Sequence, residues 1–259
     1  MSCPSIFITG AAAGIGAATA RRFAANGWFV GLADIDQTGV NALAKELGAE
    51  QAMAFELNVT DSDQWIQTLN AFFEQAGRLD VLLNNAGILA SGAYGDIDLK
   101  RQHLMVDINI KGVMNGCYHA LPWLKQTTGS RVINMSSASA MYGQPSLAIY
   151  SASKFAVRGI TEALSLEWEE FGIQVMDVMP LFVQTSMVKD MDAQSIDNLG
   201  VKLSADDVSK TIWKAATNQT IVPRVHWTVG LNTRFFYSIS GLMPDWASRH
   251  INGYIAKKR

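Results

Sequence analysis

The chain has 259 residues, 49% of them hydrophobic and 17% charged, with a formal net charge of −2. That length and apolar content suit one large α/β domain with a sizeable core and exclude a disordered chain. Apart from the closing KKR, Lys and Arg are scattered, so the sequence carries no basic footprint for nucleic acid.

The opening MSCPSIFITG lacks a basic stretch followed by a long apolar one and does not read as a signal peptide. Residues 5–9 (SIFIT) read as a first strand. It runs into TGAAAGIG, where Gly10, Gly14, Ile15 and Gly16 form a strand-to-helix turn. Residues without a β-carbon let the backbone approach a pyrophosphate at the positive end of the next helix. Glycine is also an ordinary turn residue. The position after a strand and before a helical period (Ile15, Ala18, Thr19, Arg22, Phe23) is what favours dinucleotide binding.

The second strand, 28–33, ends at Asp34, 18 residues after Gly16. A carboxylate there can accept from the adenosine ribose hydroxyls and would repel a 2′-phosphate. No Arg or Lys in the glycine loop or just after Asp34 offsets that repulsion, so NAD(H) is expected over NADP(H). Asp36 instead suits a helix N-cap. Further strands are expected at 52–57, 79–84, 131–136 and 173–179, with helix-length segments between them.

Several strands are almost unbroken apolar runs, as when helices cover both sheet faces. The expected fold is therefore α/β, a single-domain doubly wound parallel sheet of the Rossmann type. Its cofactor-binding and catalytic core spans about residues 4–185 of 1–259. Residues 186–259 are left as a substrate-side loop and a C-terminal region, read as irregular.

Cys3 and Cys117 fit no disulfide framework, and His103, His119, His226 and His250 are dispersed, so no metal site is expected. No apolar run approaches the roughly 18 residues that span a bilayer. The expectation is a soluble protein of a reducing cytoplasm.

The stretch IYSASK places Tyr150 and Lys154 four residues apart, on one face of a helix. A free tyrosine has a pKa near 10, and a cation within about 4–6 Å lowers it by roughly 1–3 units. The spacing recurs at Tyr254 and Lys258 near the chain end, without a preceding strand or a serine 13 residues earlier, and reads there as coincidence.

Together the motifs resemble the short-chain dehydrogenase/reductase family: TGxxxGxG at 9–16, NNAG at Asn84–Gly87, Asn109 in DINIKG, Ser137 in NMSSASA, and the Tyr150/Lys154 pair. The resemblance covers about two-thirds of the chain. It implies an oxidoreductase that moves hydride between a nicotinamide dinucleotide and a secondary alcohol or carbonyl compound, with Tyr150 exchanging the proton. By the same resemblance, Lys154 binds the nicotinamide ribose, Ser137 positions the substrate oxygen, and Asn109 helps hold a water linking Lys154 to solvent. The turn through Asn85, Ala86 and Gly87 abuts the adenosine side of the cofactor.

The sequence departs from the family at three places. Asn58–Val59 stands where Asp–Val usually contacts adenine, and the Asn oxygen can still accept from the adenine amino group. In PLFVQT, Leu181 replaces a glycine, while Pro180, Val183 and Thr185 remain to meet the carboxamide. Leu181 either packs beneath that loop or reshapes the pocket. The aromatic tail, with Phe235, Phe236, Tyr237 and Trp246, completes a core or a subunit contact, or alternatively forms a surface-seeking membrane segment.

Candidate pocket residues are Leu89, Ala138, Met141, Tyr142, Leu147, Leu181, Phe182 and Met187, all uncharged, which points to a neutral, apolar alcohol or ketone. The family further implies a homodimer or homotetramer. The competing reading is a catalytically silent dinucleotide-binding sensor or scaffold of the same fold.

Overall fold

The computed structural model describes residues 3–185, 200–220, 224–240 and 243–255. Its centre is a parallel seven-stranded sheet in the order β3-β2-β1-β4-β5-β6-β7. The strands are β1 (Ser5–Thr9), β2 (Phe29–Asp34), β3 (Ala52–Glu56), β4 (Val81–Asn84), β5 (Arg131–Met135), β6 (Gln174–Met179) and β7 (His226–Thr228). Five of these fall within the predicted runs, and β2 matches its run but extends one residue further, to Asp34.

The alternation of side chains along each strand divides the core in two. Ile6, Ile8, Leu32, Leu83 and Ile133 pack one way with residues of α1 (Gly14–Ala25) and α2 (Gln37–Leu47). Phe7, Leu82, Val132 and Val175 pack the other way with α3 (Ser62–Ala76) and α5 (Gly112–Lys125). Between β4 and α5 the chain forms α4 (Leu99–Val106) and a π-turn (Asp107–Lys111). A 3-10 turn (Ala138–Ala140) follows β5, and α6 (Ala148–Glu167) follows that. As expected, Asp36 caps its helix: its side chain accepts from the Gly39 N–H.

The tail corrects the sequence reading. Where irregular structure is expected, the chain forms α7 (Ala205–Thr217), β7, α8 (Leu231–Ser240) and α9 (Asp245–Ile255). A capping box starts α7: Ser204 and Asp207 bond each other's backbone N–H, and Val208, Ile212 and Ala215 follow on the buried face. The helix packs against α1, where Trp213 meets Phe23 and Trp28 edge-on with centroids 4.9 and 6.0 Å away. Beside it Arg22 pairs with Asp206 and bonds the Ser209 hydroxyl. β7 escapes a search for apolar runs because it is only His-Trp-Thr.

The strand order reverses between β1 and β4. The loops after the carboxyl ends of the strands on either side of that point form the crevice where an open α/β sheet takes its ligand. Among the described residues no helix is long and apolar enough to cross a membrane.

Candidate active site

The floor of the crevice is the β1–α1 turn. Gly10 has φ +67° and Gly14 φ +55°, a region that glycine enters without strain. A β-carbon on Gly16 would lie 2.1 Å from the Gly10 carbonyl oxygen, so that position takes no side chain at all. The predicted Asn85–Ala86–Gly87 turn clamps this loop. Asn85 Nδ2 donates to the carbonyls of Thr9 (2.9 Å) and Gly10 (3.0 Å). In return, Thr9 Oγ1 accepts from the Asn85 and Ala86 N–H groups, each at 3.0 Å.

Asp34 secures the far side of the loop, with Oδ2 accepting from Ala12 N–H at 3.0 Å and Oδ1 from Asp36 N–H at 3.1 Å. Asp36, Asp61 and Ser204 cap the helices they precede, whereas the start of α1 has no side-chain cap. Bare N–H groups at the positive end of a helix, beside glycines packed too tightly for side chains, fit the pyrophosphate of a dinucleotide.

Of the two residues expected at adenine, Asn58 is exposed and its side-chain oxygen accepts from Thr60 N–H (3.1 Å) and Oγ1 (2.8 Å). Val59 is buried, with its carbonyl bonded to Trp65 Nε1 and Asn115 Nδ2. At the other end of the crevice, Thr185 comes close to Gly14: a β-carbon there would lie 3.3 Å from Thr185 Cγ2. Ile15 is half-buried at the start of α1. Val183 is buried and bridges to Leu203, and the Pro180 carbonyl accepts from Ala138 N–H.

The four predicted catalytic residues come from three elements and converge. Asn109 lies in the π-turn, 1% exposed. Its Oδ1 accepts from Ile88 N–H at 2.8 Å, while Nδ2 donates to Ile88 O (2.9 Å) and Ser153 Oγ (3.1 Å). Both ends of the side chain are thus engaged in fixing the backbone beyond Gly87. Lys154 is also buried, and its Nζ donates to Met135 O at 2.8 Å. Gly87 separates the two: a β-carbon there would lie 3.2 Å from Asn109 Oδ1 and 3.8 Å from Lys154 Nζ.

Ser137 follows β5, its Oγ accepting from Ser139 N–H at 3.2 Å and bonding the Tyr150 side chain. Burial pushes the Tyr150 phenol up, and the Ser137 hydrogen bond opposes that shift. Lys154 Nζ is 5.6 Å from the Tyr150 ring centroid, and burial lowers its own pKa to about 8. Removal from water is thus the larger influence on the tyrosine in this arrangement, and the Ser137 hydrogen bond is what opposes it.

On the substrate side, Leu147 and Phe182 are buried together, with Leu89, Tyr150, Leu181 and Val201 packed on them. Leu181 thus packs on the same buried pair as the tyrosine does. Met141 and Tyr142 are half-buried in the loop before α6. That loop contains Ser146 at φ +64°, a strained value for a residue with a side chain. Met187 lies outside the described residues.

The sequence reading missed a cavity of about 460 Å³ that Tyr142, Gly143 and Pro145 share with Arg249, His250 and Tyr254 of α9. Its walls are about a hundred residues apart in the chain, so no local pattern announces it. Of the residues expected around the substrate, Tyr142 is the one that lines this cavity, to which Arg249 and His250 bring ionisable groups.

A family model described as short chain dehydrogenase matches residues 4–196. Trans-4-hydroxycyclohexanecarboxylate dehydrogenase of Sinomonas cyclohexanicum is 33% identical over 223 residues, 78% of this chain and 86% of that protein. Meso-2,3-butanediol dehydrogenase of Serratia marcescens is 34% identical over 199 residues, 77% of this chain and 79% of that protein. The solved structure of 3-ketoacyl-(acyl-carrier-protein) reductase from Brucella melitensis complexed with NADH matches with a TM-score of 0.81 at 26% identity, covering 87% of this chain and 96% of that one. The chain belongs to the short-chain dehydrogenase/reductase family, and is an oxidoreductase that interconverts alcohols and carbonyl compounds with a nicotinamide dinucleotide.

Proposed function

We propose that this enzyme prefers NAD(H) and interconverts a secondary alcohol and a ketone through Tyr150, Ser137, Lys154 and Asn109. The observation that carries this reading is the convergence of buried Asn109, Ser137 and Lys154 with half-buried Tyr150 next to an uncapped, glycine-lined helix start. The nicotinamide dinucleotide supplies the hydride acceptor or donor. Gly10, Gly14, Ile15 and Gly16 hold its pyrophosphate and Asp34 its adenosine ribose. Asn58, Val59, Asn85, Ala86 and Gly87 border the adenosine side, and Lys154, Pro180, Val183 and Thr185 the nicotinamide side.

Ser137 and Tyr150 share a hydrogen bond, so a substrate oxygen placed between them meets two donors at once. In reduction Tyr150 gives that oxygen its proton; in oxidation it must first be deprotonated. Because burial raises the phenol pKa, oxidation should climb as pH rises and reduction should be favoured at lower pH. Asn109 acts by position, holding the Gly87–Ile88 backbone beside Lys154.

The lining by Leu89, Leu147, Leu181 and Phe182 favours an apolar body around the reacting carbon. Exposed Met114 and Tyr118 on α5, with Phe155 and Leu166 on α6, favour a dimer or tetramer formed through these helices, which light scattering will count.

The deciding experiment follows nicotinamide absorbance with NAD and NADP against secondary alcohols graded by size, including 2,3-butanediol and 4-hydroxycyclohexanecarboxylate. NAD should give the higher kcat/KM. Tyr150→Phe should lower kcat by about a thousandfold or more while NADH still binds. An active Tyr150→Phe enzyme would disprove the assignment of the proton to Tyr150.

A further inference from the structure

We propose that α9 makes this enzyme select substrates whose apolar body ends in a carboxylate, held by Arg249 with His250 beside it. The inference rests on the alcohol–ketone reading above and deepens it. The cavity of about 460 Å³ falls in the range of small-molecule sites and is walled on one side by Tyr142, Gly143 and Pro145. That wall is fastened to the catalytic helix. Gln144 N–H donates to Ser151 Oγ at 3.1 Å, one residue past Tyr150, and Leu147 N–H donates to Gln144 O at 3.1 Å. The Ser146 carbonyl in the same loop accepts from Gly92 N–H at 3.0 Å. The cavity wall is therefore tied by hydrogen bonds to the helix that carries the tyrosine.

The opposite wall is α9, and it brings the site's positive charge. Among the described residues no Asp or Glu lines the cavity, whereas Arg249 and His250 do. Arg21, Arg22, Arg78 and Arg158 each pair with a carboxylate of the chain. Arg249 is exposed and, like Arg101, Arg131, Arg224 and Arg234, pairs with no carboxylate among the described residues, but of these it alone lines the cavity. A free guanidinium fork on the wall of a concave site matches a carboxylate with two parallel hydrogen bonds. Tyr150 faces the other environment, the apolar group of Leu89, Leu147, Leu181, Phe182 and Val201. A ligand that satisfies both regions has its carbonyl at Tyr150, apolar carbons between, and an anionic end at α9.

The test compares 7-oxooctanoate with its methyl ester and its primary amide as substrates for reduction. Wild-type enzyme should favour the acid over both neutral forms by about tenfold in kcat/KM, the size of one good charge contact. Arg249→Ala should remove that preference by raising KM for the acid, with kcat and the ester's kcat/KM within about twofold of wild type. His250→Ala should weaken the preference less. Equal use of acid and ester by the wild type, or an unchanged ratio in Arg249→Ala, overturns the proposal.

Calorimetric titration of octanoate into the enzyme–dinucleotide complex separates this claim from the parent reading. Binding that weakens about tenfold in Arg249→Ala supports the carboxylate site even if no ketone turns over, and absent or unaffected binding refutes it. Failure of the alcohol–ketone reading shows instead as no turnover of any form by the wild type.

Discussion

At the scale of single residues, the ammonium of Lys154 is buried and bonds the Met135 carbonyl, with no carboxylate paired to it among the described residues. Burial disfavours its charged form, so the folded chain releases that proton near pH 8 rather than the usual 10.5. Between those values the unfolded chain holds more protons, and stability rises with pH. The penalty of the buried charge is therefore full below about pH 8 and relieved on the way to 10.5, with an upper bound of about 3 kcal/mol. Lys154→Met, without dinucleotide, should melt higher than wild type at pH 7, and the gap should narrow or reverse by pH 10. A gap that does not change with pH would show that the charge carries no such penalty. The Tyr150–Lys154 pair was legible only together with the preceding strand and Ser137, since its spacing recurs by chance at Tyr254 and Lys258. The effect of burial on either group was not legible, because it depends on what surrounds the pair.

At the scale of elements, two glycines make opposite demands on the chain. Gly16 sits where a β-carbon would strike the Gly10 carbonyl, and Asn85 Nδ2 lies 2.9 Å from the same point. Gly159, exposed within α6, has nothing within 4 Å of where its β-carbon would stand. Gly16→Ala should destabilise the fold by roughly 1–3 kcal/mol and weaken NADH binding as the loop opens. Gly159→Ala should stabilise it by about 0.5–1 kcal/mol and leave binding alone. Chemical denaturation and NADH titration of the two variants check the pair, and similar behaviour of both would refute the close-contact account of the loop. The loop itself was readable because its glycines stand between a strand and a helical period. The Ser204/Asp207 capping box and the Val208–Ile212–Ala215 spacing were also present in the sequence and could have found α7. The π-turn under Asn109 left no such trace, since its extra residue per turn is set by packing against α6 rather than by composition.

At the scale of the whole molecule, the last quarter of the chain completes what the first quarter begins. Trp213 of α7 is set into the aromatic group of Phe23 on α1 and Trp28 just before β2. Trp213→Ala should cost about 2–4 kcal/mol in urea unfolding, somewhat below a fully buried tryptophan because Trp213 is half-buried. Turnover in the absence of urea should be nearly unchanged, and an unaltered urea midpoint would mean that α7 rests on α1 without supporting it. Such long-range pairings are why the sheet was legible while the cavity was not. Strands announce themselves locally, but a wall formed by Tyr142 and Arg249 exists only after folding. The position of β7 has a consequence for synthesis. Until His226–Thr228 leaves the ribosome, the outer edge of β6 is bare, and so is the aromatic face of α1 that α7 covers. At about 5–20 residues per second the nascent chain keeps that edge open for several seconds. In that interval the edge presents unpaired N–H and C=O groups to the same strand of a neighbouring chain, so slower synthesis across α7 should raise the aggregated fraction of newly made enzyme.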